Sequence, residues 1–549
     1  MPAQRSTRKH HLTVPDRPIA QRFACVLAGL LALASVIGGC SMVGPDYVKP
    51  TPPEPQQWLE SADSKIEGRT VDISNWWTVF NDPILNALVQ SAYEQNLSLQ
   101  VTGLRILEAR AQLGIAIGNQ YPQTQRATAD ARADRTSLNL PNVATFERFS
   151  YLYDVGFDAA WELDFWGKFR RSVQTGIADL QASIADYDDN LVFLTSEVAR
   201  VYIQLRTSEE RLVVARENAE IQRQSLRLAE DRFREGAVTK LDQLQSRALL
   251  RTTEASIPAF ESDIRRAKNA LAILLGKLPG EIDAMLGAQG NIPQMPVEAA
   301  VGIPAELLRR RPDIRLAERQ LAAQSAQIGV AKADLFPHFS LFGTIGYSTA
   351  GSTSRDQSRN AGLSELFSGR SFTYSVGPSV RWDLFNYGRI TNRIRVEDAR
   401  FQQLAVDYEN TVLEAVQEVE DAMIGFLRTQ DQVVFLADAV AAYKESVDLS
   451  SLQYMEGQAD FQRVLDAMEN LVETQDSWIT ATGLVGVNLV FIYKALGGGW
   501  EMRAGKDFVP DDIKAEMTER TNWGDLLAPD ELEYPPSQEV NRIFNRPDW

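Results

Sequence analysis

The sequence predicts a mainly α-helical chain with a small β part, built from two tandem repeats. Three observations predict this class: short motifs recur at a nearly constant separation, two stretches have the apolar spacing of very long helices, and four segments alternate apolar and polar residues. The 549 residues carry a net charge of −17. This acidic balance argues against a nucleic-acid-binding protein, because neutralising phosphates requires a basic surface.

The first 39 residues have the composition of a secretory signal peptide. Basic residues precede an apolar run, Phe23 to Ile37, which is too short for an ordinary membrane-spanning helix. Gly38-Gly39-Cys40 follows and resembles a bacterial lipobox, in which the cysteine is acylated as the signal is removed. Ser41 favours the outer membrane over retention at the inner one. We therefore expect residues 40–75 to be a lipid-anchored extended segment at the outer membrane of a Gram-negative bacterium.

Removal of the signal peptide leaves few residues suited to catalysis. Cys40 and His338 are the only cysteine and histidine that remain. A disulfide within the chain is therefore excluded, and a Cys/His metal site nearly so. The adjacent acids Asp188 and Asp189 lie in a predicted helix without a partner histidine or metal ligand. The sequence predicts a protein that is not an enzyme and that has no cofactor or metal site.

Internal similarity divides the chain into two copies. The separation of matching motifs is 215 residues at first and 221 after an insertion of six residues in the second copy. The matching pairs include Ala111–Ala116 with Ala326–Ala331, Trp161 with Trp382, Glu235-Gly236 with Glu456-Gly457, and Leu275-Gly276 with Leu496-Gly497. We place repeat 1 at 76–280, a linker at 281–302, repeat 2 at 303–500 and a partly mobile acidic tail at 501–549.

Each repeat reads as a helix, two strands, a very long helix, a turn and a returning helix. In repeat 1, Tyr121-Pro122 ends the first helix because the residue before a proline avoids the helical conformation. Alternating residues then predict strands at about 123–135 and 150–164, and at about 338–348 and 372–385 in repeat 2. Alternation alone fits a half-buried soluble sheet and a membrane barrel equally well.

The long helices have the clearer signal. Apolar residues step by three and four from Ile177 to Leu205, and a matching series runs from Phe401 to Phe426, as in a coiled-coil seam. No proline occurs between position 166 and Gly236, so the helix is about 100 Å long. A soluble rod would show the same seam, but the strands in the same repeats count against it.

Four strands are too few to close a membrane barrel. Unpaired backbone groups cost several kcal/mol each in lipid, and single-chain barrels start at about eight strands. If these strands span a membrane, several chains must therefore share one barrel, and three chains supply twelve strands. The closure argument thus predicts an oligomer.

Two motifs carry a resemblance to a known family. Cys40-Ser41-Met42-Val43-Gly44-Pro45-Asp46-Tyr47 resembles the mature N-terminus of the NodT-type lipoprotein branch of the TolC-like outer-membrane factors. Ile303-Pro304-Ala305-Glu306-Leu307-Leu308-Arg309-Arg310-Arg311-Pro312-Asp313-Ile314 is similar to the most specific stretch of that family. The resemblance covers nearly all of 40–500. It implies a homotrimer with a 12-stranded transmembrane β-barrel, four strands per chain, continued by a long periplasmic α-helical barrel.

The resemblance also implies a function. Such proteins form the outer-membrane exit duct of a tripartite efflux pump, together with a periplasmic adaptor (membrane fusion) protein and an inner-membrane transporter of the RND type. Drugs or other small solutes leave through the duct, which opens when its periplasmic helix tips dilate. The open alternatives are the outer-membrane channel of a type I protein secretion system and a purely structural periplasmic scaffold without a channel.

Candidate gate residues follow from the resemblance, one position at a time. Asp466 matches an aperture aspartate, Asp242 an acid that ties neighbouring tips, and Tyr454 an aromatic gate residue. Ala459 stands where some members have an arginine, and Arg463 where some have a second aspartate, so Arg463 is a candidate partner for Asp242. Three copies of Asp466 on an axis would form an acidic ring, as in cation-selective pores.

Two further groups of residues have a weaker basis. Glu235, Gly236, Glu456 and Gly457 at the predicted tips are candidate contacts for the adaptor protein. The run Arg309–Arg311 before Pro312 could bind an anion at a helix start. We favour a structural interpretation, in which these arginines pair with acids near that helix start.

Overall fold

A computed structural model describes residues 42–51, 55–67, 72–137, 139, 149–302, 310–352 and 362–527. The signal peptide, Cys40, Ile303–Arg309 and residues 528–549 lie outside these ranges. The described chain forms two compact units. The sheet unit comprises 42–46, 116–173 and 326–397, and the helical unit comprises 47–115, 174–325 and 398–527.

The helices follow the predicted series in both repeats. They are α1 (Pro83–Gln95), α2 (Leu97–Gly118), α3 (Lys168–Arg234), α4 (Lys240–Leu274), α5 (Asp283–Leu286), α6 (Pro312–Ala333), α7 (Arg389–Met455), α8 (Phe461–Ala495) and α9 (Asp511–Arg520). Short 3₁₀ helices lie at Trp76–Phe80, Leu363–Glu365, Trp500–Arg503 and Gly524–Leu527.

Corresponding helices of the two repeats have equal lengths. Helices α3 and α7 each have 67 residues, α4 and α8 each have 35, and α2 and α6 each have 22. The unbroken apolar seam and the absence of internal proline account for the length of α3 and α7. The two tandem copies predicted from the motif separations are thereby confirmed.

In the part of the chain that the structure describes, six strands form two sheets. Strand β1 (Ile66–Glu67) pairs in parallel with β4 (Ala299–Ala300). The larger sheet is antiparallel in the order β2 (Thr124–Arg135), β3 (Phe149–Leu163), β5 (His338–Ser352) and β6 (Phe372–Arg381). Each repeat supplies one hairpin, and the pairing of β3 with β5 joins the two repeats.

Two strand ends differ from the sequence expectation. Strand β5 continues beyond position 348 to Ser352, because β3 pairs with it as far as Ser150. Strand β6 stops at Arg381 rather than at 385. The indole of the next residue, Trp382, donates to the Leu335 carbonyl at 3.0 Å, and a tight backbone turn at Trp382 then leads the chain out of the sheet.

The C-terminal segment is more ordered than its acidic composition suggests. Val509 and Met517 pack against Leu107 of α2 in an apolar cluster. Arg503 forms an ion pair with Asp188 of α3, which is fully buried. The tail expected to be partly mobile therefore packs within the helical unit as far as residue 527.

One helix in the described part of the chain is long and apolar enough to span a membrane by composition. This is α8, and 61% of its most apolar window is buried within the chain. Such burial is typical of a core helix, because the apolar side chains already contact protein.

Equivalent hydrogen bonds hold both repeats in the same shape. The Asn96 amide donates to the Leu274 carbonyl at 2.9 Å in repeat 1, and the Arg311 guanidinium donates to the Ala495 carbonyl at 2.6 Å in repeat 2. Each bond ties the end of the returning helix to the start of the first helix. In both repeats this bond lies at the end of the returning helix that is opposite the turn considered below.

Candidate functional site: a two-faced sheet and two helix tips

One face of the four-stranded sheet carries polar side chains. The strand register places Arg126 beside Asp158, Asp158 beside Thr344, and Thr344 beside Ser375. A second row brings Asp130 beside Asp154. Because alternate residues of a strand share a face, these rows belong to the same polar side of the sheet.

The opposite face is apolar and exposed. Phe157 lies beside Ile345, which lies beside Tyr374, and their exposed fractions are 45%, 49% and 73%. Trp161 and Leu341 form another exposed apolar pair on this face. A contiguous exposed apolar surface marks a contact with lipid or protein, and the apolar-polar alternation is that of a membrane β-barrel.

Both edge strands of this sheet lack a neighbour in the described chain. Strand β2 pairs only with β3, and β6 pairs only with β5. Their outer backbone groups are therefore available to another chain. An apolar face with two open edges is an incomplete structure in a membrane, since those groups have no water to bind there.

His338 lies on the sheet unit in a contact with an acid. Its Nδ1 is 2.6 Å from a Glu162 carboxylate oxygen. Across the residues that the structure describes, no group of three or more His, Cys, Asp or Glu side chains could hold a metal ion. The buried Asp188 pairs with Arg315 and Arg503, which gives it a structural role.

The turns between long and returning helices begin at glycines with positive φ. Gly236 has φ 73° and Gly457 has φ 75°, in the left-handed region that glycine adopts without strain. The Gly236 amide donates to the Phe233 carbonyl at 3.0 Å, and the Gly457 amide donates to the Tyr454 carbonyl at 3.1 Å. Both turns thus end their helices in the same way, as the repeated Glu-Gly pair predicted.

The four candidate adaptor-contact residues occupy the surface of these turns. Glu235, Gly236, Glu456 and Gly457 are all exposed. A side chain added at either glycine would meet no atom within 4 Å. The glycines are therefore required for backbone conformation rather than for space, and the turns are accessible to a partner.

The candidate gate residues on α4 and α8 have separate surroundings. Asp466 is exposed and accepts a hydrogen bond from the Gln462 amide at 2.6 Å. Asp242 accepts from the Thr239 backbone amide at 3.0 Å and so caps the start of α4. Arg463 is exposed. Its pairing with Asp242 stays a prediction.

Tyr454 has a different environment from the other candidates. It is 4% exposed and lies in an apolar cluster, with its ring centre 4.9 Å from that of Phe461. Burial raises the pKa of the Tyr454 hydroxyl. In this chain Tyr454 belongs to the core of the tip, and its role as a gate residue stays a prediction.

Arg232 is a tip residue that the sequence analysis missed. Its two terminal nitrogens donate to the carbonyls of Tyr454 at 2.6 Å and of Met455 at 2.5 Å. The guanidinium carbon lies 4.6 Å from the centre of the Tyr454 ring. The available signal was a basic residue in the last turn of α3, but its partner is more than 200 residues away in the sequence.

The segment that follows Cys40 is held by the sheet unit. The buried Arg171 pairs with Asp46 at 2.7 Å and donates to the Val43 carbonyl at 3.3 Å. Gly44 has φ +98°, and a Cβ added there would lie 2.5 Å from Cα of Gly329. The Val-Gly-Pro-Asp motif therefore has a structural basis, whereas Cys40 itself lies outside the described residues.

The arginines before α6 pair with acids, as the structural interpretation predicted. Arg311 bonds to Asp313 at 2.8 Å and to Glu418 at 2.7 Å. Arg310 lies 3.9 Å from Glu501. These contacts favour a structural role over anion binding, and Arg309 lies outside the described residues.

Repeated helices, a two-faced sheet with open edges in the described residues and paired helix tips are the features expected of a membrane-channel subunit. Comparison with known proteins identifies the family. The profile of the outer membrane efflux proteins matches residues 88–277 and 303–498, which include most of both repeats. The chain belongs to this family, and the resemblance to the TolC-like outer-membrane factors is confirmed.

Individual relatives agree over most of the chain. Nodulation protein T of Rhizobium leguminosarum bv. trifolii is 28% identical over 471 residues, which cover 85% of this chain and 96% of the relative. The cation efflux system protein CusC of Escherichia coli K12 is 29% identical over 469 residues, which cover 85% and 98%.

Solved structures show the same fold. The outer-membrane channel OprN is 35% identical with a TM-score of 0.76, covering 84% of this chain and 99% of that structure. The open state of the MtrE outer membrane channel of Neisseria gonorrhoeae is 27% identical with a TM-score of 0.71, covering 84% and 99%. The predicted fold class, mainly helical with a small four-stranded β part per chain, is confirmed.

Proposed function

We propose that three copies of this chain form the outer-membrane exit duct of a tripartite efflux pump. The observation that carries the proposal is the sheet with one polar face, one exposed apolar face and two open edges. Three such sheets, joined edge to edge, give a closed 12-stranded barrel with its polar face toward the channel. The names of the relatives, which include a cation efflux protein, favour efflux over type I protein secretion.

The remaining parts of the duct follow from the same arrangement. Acyl chains on Cys40 anchor the N-terminal segment, which Arg171 holds, in the outer membrane. The exposed turns at Gly236 and Gly457 contact a periplasmic adaptor protein, and an inner-membrane RND-type transporter supplies the energy. Small solutes such as drugs then pass through the duct, and neither a cofactor nor nucleic acid takes part.

The helix tips form the periplasmic gate, which opens by dilation. Asp466 of three chains supplies an acidic ring, and Asp242, Tyr454 and Arg463 surround the tips. The exposed position of Asp466 supports this role, because a ring residue must face the aqueous bore.

Reconstitution tests the duct and its gate together. Protein purified from outer membranes in detergent is expected to be a trimer, and in planar bilayers it is expected to form cation-selective channels. Asp466→Ala is expected to raise the single-channel conductance and weaken the cation selectivity, whereas Glu469→Ala, which changes another exposed acid on α8, leaves both unchanged. A monomer without a channel would contradict the duct, and an Asp466→Ala channel identical to the original would contradict the acidic ring.

A further inference from the structure

We infer that Arg232 holds the two helix tips of one chain together and that the tip of repeat 2 moves only when this contact is released. The inference rests on the proposed function, because it concerns how the duct opens. It assigns a positioning role to a residue of repeat 1 in the movement of repeat 2.

The contact joins a cation to the end of a helix. The last carbonyl groups of a helix have no partner within it and lie at its negative end. Arg232 donates one hydrogen bond to each of the carbonyls of Tyr454 and Met455, which end α7. Its guanidinium also lies against the Tyr454 ring. A planar guanidinium bonded at two points fixes orientation as well as distance.

Among the described residues, repeat 2 has no equivalent of the Arg232 contact. The residue equivalent to Arg232 in repeat 2 is Gln453, 221 positions later. In the described chain the side chain of Gln453 has no hydrogen bond to the end of α3. The tip of repeat 1 therefore holds the tip of repeat 2, and no equivalent bond acts in return.

The short turn transmits the contact to the candidate gate. Five residues separate Met455 at the end of α7 from Phe461 at the start of α8. Asp466 lies within the first two turns of α8, so its position depends on where α7 ends. A constraint on the Tyr454 and Met455 carbonyls is thus a constraint on Asp466.

The rest of the contact between the tips is mainly apolar, apart from an exposed hydrogen bond of 2.9 Å from the Gln245 side-chain amide of α4 to the Gln462 amide oxygen of α8. Ala229 of α3 belongs to the same cluster as Tyr454, Phe461 and Val464. Apolar contacts are not directional, so two surfaces can shift against each other while most of the burial is kept. Arg232 is only partly buried, which allows water to replace its two carbonyl partners when the tip moves. The two charge-assisted hydrogen bonds of Arg232 are therefore the strongest directional part of the contact, and they must break when the tip moves.

Arg232→Gln tests the inference, because it gives repeat 1 the residue that repeat 2 has at this place. We expect the ratio of open to closed channels in planar bilayers to rise roughly tenfold, as expected from loss of a charge-assisted hydrogen bond. Arg234→Gln is the matched control, since Arg234 lies in the same helical turn and pairs with the side chain of Asp231 rather than with α7.

Trimer mass and thermal stability are measured on the same samples. A trimeric Arg232→Gln channel with the original ratio would overturn the inference, even if its thermal stability falls, because that result describes a merely structural role. An equal rise in Arg234→Gln would overturn it as well, since the effect would then belong to any charge at the tip. If Arg232→Gln does not assemble, Arg232→Lys retains the charge without the two-point contact, and an unchanged ratio would again overturn the inference. An unaltered chain that forms no channel would instead refute the proposed function.

Discussion

The two repeats have the same skeleton, but different ends of the chain cover them. Leu107 of α2 and Ala322 of α6 are equivalent positions. Met517 of the C-terminal segment packs near Leu107, whereas Tyr47 of the N-terminal segment packs near Ala322. Equal helix lengths therefore come from contacts that both repeats share. The side chains that cover the equivalent helices α2 and α6 differ, because they come from the C-terminal segment in one case and from the N-terminal segment in the other.

The helix tips show the same contrast more strongly. Phe233 and Tyr454 are equivalent, but their exposed fractions are 39% and 4%. Leu244 and Leu465 are also equivalent, with exposed fractions of 48% and 6%. The tip of repeat 2 is thus an apolar core within the chain, while the tip of repeat 1 presents its apolar residues outward. The two copies of a duplicated fold can therefore share a backbone while equivalent apolar side chains are exposed in one copy and buried in the other.

The largest expected difference between repeats concerns the bond to the returning helix. Arg311→Ala should cost about 3–5 kcal/mol, because it leaves the buried Ala495 carbonyl unpaired and removes the partner of Asp313. Asn96→Ala removes the equivalent bond to Leu274 and should cost about 1–2 kcal/mol, because no charge is involved. Chemical denaturation followed by circular dichroism measures both. Equal losses would show that the charge of Arg311 adds nothing to the shared bond.

A smaller effect distinguishes the repeats by pH. Burial, with the nearby charge of Asp313, raises the pKa of Asp189 to about 6, whereas repeat 2 has Asn410 at the equivalent position. The raised pKa means that Asp189 contributes stability below pH 4, which is lost as the pH rises through about 6. Asp189→Asn should therefore match the original protein near pH 4 and exceed it at pH 7 by up to about 3 kcal/mol.

The measurement is the free energy of unfolding of both proteins at several pH values between 4 and 7. Because the other titrating groups are common to both, the difference isolates Asp189. A difference that is constant with pH would contradict the raised pKa.

The smallest effect concerns two equivalent glycines at the starts of the long helices. Gly167 has φ +78° and Gly388 has φ +80°, so alanine should cost about 1–2 kcal/mol at either position. A Cβ at Gly167 would also lie 2.5 Å from Met42 Cγ, while at Gly388 the nearest atom is at 3.6 Å. Gly167→Ala should therefore also release residues 42–46 to a protease. Limited proteolysis with mass spectrometry tests this, and identical cleavage in the two variants would refute it.

Periodicity and motif separation were sufficient to predict the skeleton. The steps of three and four from Ile177 to Leu205 belong to α3, and the alternating residues belong to β2, β3, β5 and β6. These signals are local, because each element repeats its own pattern. The family resemblance added the class of protein, which the comparisons confirm.

Contacts between distant segments were not predictable in this way. Nothing near Arg232 indicates that its partners end a helix of the other repeat, and nothing near Tyr454 determines which side of α7 becomes buried. The order of the C-terminal segment was not predicted, because its acidic composition is typical of a mobile tail. A few apolar residues, including Val509 and Met517, nevertheless pack on α2.

The pairing of β3 with β5 also has a consequence for biosynthesis. Each hairpin joins strands that are close in sequence. In the pairing of β3 with β5, by contrast, the paired residues are on average roughly 190 positions apart in the sequence. The first hairpin can form as soon as it has been exported, and it then waits with one edge of β3 uncovered until the second hairpin arrives. An exposed strand edge invites pairing with the wrong chain. The interval between the export of the two hairpins is therefore the period in which this protein most needs protection from aggregation.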